Sequence, residues 1–188
     1  MTKKYTAALA ALICCGFIGN ANALSVSLVP GAGSTVALIN DIVNFDVVID
    51  FSADPTLGGG IDIAWNPGVL TFAGWSYASS TVGDDPGFRA DGAISPGSYI
   101  GQAVGDFIGL TSGTIGTISF MAIGTGVSPI IVSDTISIAG PWVSISTFQP
   151  QTVDYTGSDV EVVPLPAAAW LLLGGLGSML GFSRVRRH

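Results

Sequence analysis

Apolar and polar side chains alternate along most of the chain. Between positions 43 and 51, Val43, Phe45, Val47, Ile49 and Phe51 make one face wholly apolar, while Asn44, Asp46 and Asp50 interrupt the other. Ile61, Ile63 and Trp65 repeat the period, and Ile118, Phe120 and Ala122 alternate with Thr117, Ser119 and Met121. A period of two is that of a strand with one face in a core. Cut by glycine and proline, the pattern predicts strands at 25–29, 35–39, 43–51, 60–65, 69–77, 104–110, 114–123, 128–132, 135–138, 143–148 and 159–163. No capped segment of helical period lies between them, so a parallel β/α arrangement lacks its crossover helices. Many short strands at near-regular spacing predict an all-β, antiparallel jelly-roll sandwich over residues 24–160.

The alternation fails at the two ends, where apolar residues run together. Lys3 and Lys4 precede an apolar stretch at 7–18, and Ala21 and Ala23 supply small residues beyond it. This is the layout of a secretory signal peptide over residues 1–23, with a short helix and cleavage after Ala23. Two alternatives are a retained anchor and a lipoprotein acylated at Cys14 or Cys15, although neither cysteine follows a small residue. At the other end, residues 167–182 are uncharged and span ~24 Å as a helix, a little short of a hydrocarbon core of ~30 Å. Trp170 and the cluster Arg184, Arg186 and Arg187 flank this predicted transmembrane helix. The arginines place its end in the cytoplasm and the body across the membrane. Gly177 and Gly181 have the spacing of a helix-pairing motif, which small residues in such tails also produce by chance.

The final segment, 161–188, resembles the PEP-CTERM sorting signal of Gram-negative bacteria in its VPLPA form. Val163, Pro164, Leu165, Pro166 and Ala167 supply the motif, followed by the apolar helix at 167–182 and the basic cluster at 184–188. The resemblance implies recognition by an exosortase, cleavage near the motif, and delivery from the inner membrane to the cell surface or extracellular matrix. A plain single-span anchor is the alternative. The prolines themselves keep the segment extended and delay the start of the helix.

The body also resembles a cohesin domain. Residues 58–75 read G-G-G-I-D-I-A-W-N-P-G-V-L-T-F-A-G-W, a strand entering an Asn-Pro turn at Asn66 and Pro67 and resuming at Val69 and Leu70. Residues 113–123, G-T-I-G-T-I-S-F-M-A-I, are similar to the late strand of that family, and 126–132 follow as its successor. Cohesins of cellulosomes bind dockerins, and the related carbohydrate-binding modules bind polysaccharide. The chain holds no dockerin calcium loop, so the resemblance implies a separate protein as partner.

Charge sharpens this picture. The chain of 188 residues has a net charge of −7 and a mean hydropathy of +0.61. All thirteen acids lie between Asp41 and Glu161, where Arg89 is the only basic residue, so the body carries −12 between two basic ends. Such a body repels phosphate and excludes nucleic acid as a partner. Its hydrophobicity excludes a disordered chain. Once the leader is removed no cysteine remains, and the body has neither His nor Lys. Ser-His-Asp, Cys-His, Schiff-base lysine and His- or Cys-ligated zinc chemistry are thereby excluded. Only a carboxylate pair is left for catalysis, so the expectation is a protein that is not an enzyme.

The acids suit calcium better, since it takes carboxylate and carbonyl oxygens. Asp84, Asp85 and Asp91, in a Gly/Pro loop, are the first candidates; Asp54 and Asp134 are others. Adjacent aspartates in such a loop are otherwise simply turn residues. Trp75, Tyr77, Phe88, Tyr99 and Trp142 would stack on sugars if exposed and fill the core if not. Trp75 and Tyr77, two apart on one strand face, are the candidate sugar platform. The sequence therefore predicts an exported binding or structural protein associated with exopolysaccharide. The alternatives are a specific carbohydrate-binding module or a cohesin-type protein-interaction module.

Overall fold

The computed structural model describes residues 23–31, 35–78, 86–137, 139–164 and 171. The described part is two packed β-sheets, reached in chain order by β1 (Ser25–Pro30), β2 (Val36–Leu38), β3 (Ile42–Asp50), β4 (Thr56–Ala64), β5 (Leu70–Tyr77), a 3-10 turn (Pro86–Phe88), β6 (Ala93–Ser95), β7 (Ser98–Leu110), β8 (Ser112–Ala122), β9 (Gly126–Asp134), β10 (Val143–Ser144), β11 (Asp154–Thr156) and β12 (Ser158–Val163). The smaller sheet runs β11-β1-β3-β8-β5, and the larger runs β2-β12-β9-β4-β7-β6 with β10 beside β4.

The predicted alternation sets the core. Val43, Phe45, Val47 and Ile49 of β3 point inward, in register with Ile118 and Phe120 of β8 and with Val26 and Leu28 of β1. Ile61 and Ile63, Ile130 and Val132, and Val160 and Val162 face them from the larger sheet, all buried. Residues on two inner faces thus interdigitate as in other sandwiches.

The pairing is not wholly antiparallel. β1 pairs with β11, and β12 with β2, in parallel. β11 and β12 are separated only by Gly157, so this stretch passes from one sheet to the other beside β1 and β2, which make the same passage in the same direction.

Several predicted strands change length. β4 begins four residues early, at Thr56, and β7 six residues early, at Ser98, because glycines at 58–60 and at 101 and 105 pair perfectly well when flanking chains pack on them. β6 and β11 are too short to show a period. Residues 135–137 form no strand: Thr135 Oγ1 accepts the Ser137 amide at 3.0 Å and Ser137 Oγ accepts the Ala139 amide at 3.2 Å, and position 138 lies outside the described residues. The strand predicted at 143–148 stops at Ser144, whose Oγ accepts the amides of Ser146 and Thr147, both at 3.2 Å. In both places hydroxyls bond the backbone locally and close turns instead of ladders.

β9 and β10 share one edge of β4. β9 pairs with residues 61–64 and β10 with Gly58 and Thr56, while between them the Gly60 amide donates to the Gly140 carbonyl at 3.1 Å. The predicted leader helix, the predicted span at 167–182 apart from Leu171, and the arginine cluster lie outside the described residues. Among the described residues no helix is long and apolar enough to cross a membrane.

Candidate functional site

Trp75 and Tyr77 share a face, as their spacing predicts, but it is the inner one. A bulge between Phe72 and Gly74 shifts the register of β5, so that Phe72 pairs with Phe120, Trp75 with Ile118 and Tyr77 with Gly116. The absent side chain of Gly116 leaves the room that the Trp75 indole fills. Both rings are half-buried against the core and meet edge to face, with centroids 5.8 Å apart and planes at 82°. They present no common plane on which a sugar ring could lie. Phe72 stacks on Tyr99 at 4.9 Å, which together with Trp65 makes this side of the sandwich an aromatic wall. Of the other aromatic candidates, Tyr99 and Trp142 are buried and Phe88 is exposed.

A polar chain secures the wall. The Tyr77 hydroxyl donates to Asp91 Oδ1 at 3.0 Å and accepts from Gln102 Nε2 at 2.8 Å, while Tyr99 donates to Gln102 Oε1 at 2.5 Å. The Arg89 guanidinium carbon lies 4.5 Å from the centroid of the Tyr77 ring. Burial, helped by Asp91, pushes the Tyr77 phenol up to about 12, and burial raises Tyr99 as well.

Asp91 is engaged by Tyr77 and Asp134 by the Tyr155 hydroxyl, while Asp84 and Asp85 lie outside the described residues. Asp54 accepts from Ser144 Oγ at 2.9 Å, Ser146 Oγ at 3.0 Å and Gln151 Nε2 at 3.1 Å. The Ser144 bond foremost holds its carboxyl below the usual range. Among the described residues no three His, Cys, Asp or Glu side chains gather as a metal group would require. Of the sorting motif, Val163 ends β12 and Pro164 follows it exposed; Leu165, Pro166 and Ala167 lie outside the described residues.

The outer face of the larger sheet is the surface that sequence reasoning missed. On β9, Ser128, Ile130 and Val132 point inward, which leaves Val127, Pro129 and Ile131 outside, with Val127 56% and Ile131 57% exposed. The register carries these residues across the sheet. Val127 lies beside Glu161, which lies beside Val36; Pro129 lies beside Asp159; and Ile131 lies beside the exposed Ala64. One position along, Asp62 stands between Ser133 and Ile100. The result is an exposed apolar row along β9 with Asp62, Asp159 and Glu161 set beside it on the neighbouring strands. Contiguous exposed apolar surface of this kind, rimmed by polar residues, marks interaction sites. Its sequence signal is an inverted polarity at Ser128, which is fully buried because its Oγ accepts the Asn66 amide at 3.0 Å.

No protein-family model and no curated protein matches the chain. Solved structures do. A cohesin of Clostridium acetobutylicum in solution superposes with a TM-score of 0.57 at 16% identity, covering 75% of this chain and 92% of that one. A type I cohesin–dockerin complex from Clostridium thermocellum gives 0.58 at 14% identity, covering 76% and 95%. A non-cellulosomal cohesin of the archaeon Archaeoglobus fulgidus gives 0.54 at 13%, covering 78% and 96%. The body therefore has the cohesin type of two-sheet sandwich.

Proposed function

We propose that this chain is an exported, non-enzymatic binding module that docks a separate protein on the outer face of its larger sheet. The observation that carries the reading is the exposed row of Val127, Pro129, Ile131 and Ala64, set on paired strands with Asp159 and Glu161 beside it. Such a face takes a partner that offers apolar side chains to the centre and basic ones to the rim. The partners named for the similar structures are dockerins, and a dockerin-bearing protein is the partner class to try first. Signal peptide and sorting tail, read from the sequence, give the setting: processing by an exosortase, then residence at the surface or in an exopolysaccharide matrix.

A protein partner is favoured over polysaccharide because Trp75 and Tyr77 meet edge to face and lean on the core. The test is calorimetric titration of residues 24–163 with dockerin modules encoded by the same genome, beside a glycan array. Binding that is lost in Ile131→Asp and kept in Trp75→Ala supports the proposal. Selective glycan binding lost in Trp75→Ala refutes it.

A further inference from the structure

Among the described residues four strands end the two sheets, and one of them is unlike the rest. β11, β2 and β6 are three residues each, the short form in which edges are kept from pairing with other chains. β5 is eight residues long and reads L-T-F-A-G-W-S-Y, without a charge or a proline. It pairs with β8 on one side, and no described strand meets the other. The Val69 carbonyl accepts the Ile123 amide at 2.8 Å and the Ala78 amide donates to the Ile115 carbonyl at 3.1 Å, both toward β8. With one bulge residue between them, alternation turns the N–H and C=O groups of Phe72, Trp75 and Tyr77 to the open side. That single bulge is all that blunts the edge.

β5, β6 and the slot between them carry no charge. The slot holds about 310 Å³ and is lined by Trp65, Pro67, Phe72, Ile94 and Pro96, with Ile94 59% exposed. Arg89 and Asp91, the charged residues at the Tyr77 end of β5, are engaged on the ring and the hydroxyl of Tyr77. On the opposite side of the sandwich β11 carries Asp154, and β12, next to the β2 edge, carries Asp159 and Glu161. A body of net charge −12 repels a second copy of itself wherever carboxylates face each other. β5 is the long edge where they do not.

We infer that β5 is a self-pairing edge, to which a second copy of this chain adds its own β5 in antiparallel register. Such an edge accepts an uncharged strand with free backbone groups, and β5 is itself that strand. Pairing joins the two five-stranded sheets into one and brings a second chain over the mouth of the slot, which covers Phe72 and Ile94. The twofold axis of an antiparallel pair stands perpendicular to the sheet, so both larger sheets lie on the same side. The exposed rows on the two β9 strands then point the same way, and a partner with two modules can engage both at once. The pairing itself does not depend on that binding face.

The test uses the full chain with Cys14→Ala and Cys15→Ala in micelles of a non-ionic detergent. Single cysteines are placed through Ala73→Cys or Ser76→Cys, both exposed on β5, or through Asp154→Cys, exposed on the opposite edge, and each chain is treated with a short bis-maleimide. The expected result is covalent dimer at 73 and 76 and monomer at 154. Ala73→Lys, which sets like charges across the paired edge, should abolish the cross-link at 76 and take the protein mass per particle, by light scattering, from two copies to one. Its far-ultraviolet circular dichroism should stay unchanged, which separates lost pairing from lost fold. Monomer at all three positions overturns the pairing, whatever else covers the edge. Equal cross-linking at 73, 76 and 154 reports random collision and overturns it too. A dimer that survives Ala73→Lys and is lost in Gly177→Leu belongs to the tail and also overturns the self-pairing edge.

Discussion

Trp142 lies directly on the backbone of Gly59. A Cβ on Gly59 would fall 2.7 Å from the Trp142 nitrogen, Cα and Cδ2, closer than carbon atoms pack. Trp142 is buried, tilted on Phe51 with ring centroids 4.9 Å apart, and it anchors the return of the chain from the arch at 135–142 into β10. Neighbouring Gly60 admits Thr135 and Ala139 from the same arch in the same way. Gly59→Ala is expected to cost about 1–3 kcal/mol, the range for overpacking a close contact. Trp142→Ala should cost about 3–5 kcal/mol through the cavity it leaves. Urea denaturation of residues 24–163 measures both, and an unchanged midpoint for Gly59→Ala would remove the close contact from the account.

The tyrosines set an alkaline limit. Of four in the chain, Tyr5 belongs to the predicted leader, and the other three, Tyr77, Tyr99 and Tyr155, are all raised above the ordinary phenol value, first by burial. A folded pKa above the unfolded value of ~10 means that the folded state holds the proton more tightly. The stabilisation is complete below pH ~10 and is lost as pH rises through about 12 for Tyr77. Ultraviolet titration of the body should therefore show little tyrosinate until unfolding begins, and Tyr77→Phe should flatten the fall of Tm with pH. A normal titration near pH 10 in the folded protein would contradict the burial.

Acid should act in the opposite sense. Ser52 holds Asp50 low and Ser144 holds Asp54 low, so their contribution is present above the unfolded value near ~3.9 and disappears as pH falls below it. Asp54→Asn, which weakens the acceptor for Ser144 and Ser146, should shift the acid midpoint of unfolding. An identical acid limb in wild type and variant would show that this cluster contributes nothing measurable.

Phe148 has a φ of 56° and is largely exposed. A side chain there carries left-handed strain of about 1–2 kcal/mol and gains little burial in return, while glycine adds some unfolded-state entropy. Phe148→Gly should raise stability by about 0.5–1 kcal/mol. Thermal melts decide it, and a fall in Tm would reveal packing that the exposure does not suggest.

The tail offers a separate prediction. Pro164→Ala with Pro166→Ala should leave the body folded, since β12 ends at Val163, but should block processing in a host with an exosortase. The size of the tail on a gel reads this directly, and unchanged cleavage would count against the sorting motif.

What the sequence by itself determined was the sandwich and most of its core. Val43, Phe45, Val47 and Ile49 were legible because side chains on a strand alternate strictly, so an uninterrupted apolar face has nowhere to go but inward. Three things were decided only by tertiary structure. The face that Trp75 and Tyr77 occupy depends on the bulge at Phe72 and Gly74, and one extra residue reverses the phase of all that follow. The exposed band on β9 depends on Ser128 finding the Asn66 amide inside the core; alternation alone assigns a serine to the solvent. The segments at 135–138 and 143–148 alternate as strands do, but a hydroxyl can bond either a neighbouring strand's surroundings or its own backbone two residues on, and which of these wins depends on whether an edge is free at that place. β4 offered β9 and β10 only a shared edge, so the chain between them turned on its own hydroxyls. Periodicity fixes which residues share a face; only the packing of the second sheet and the arch around the glycines decides which face is covered.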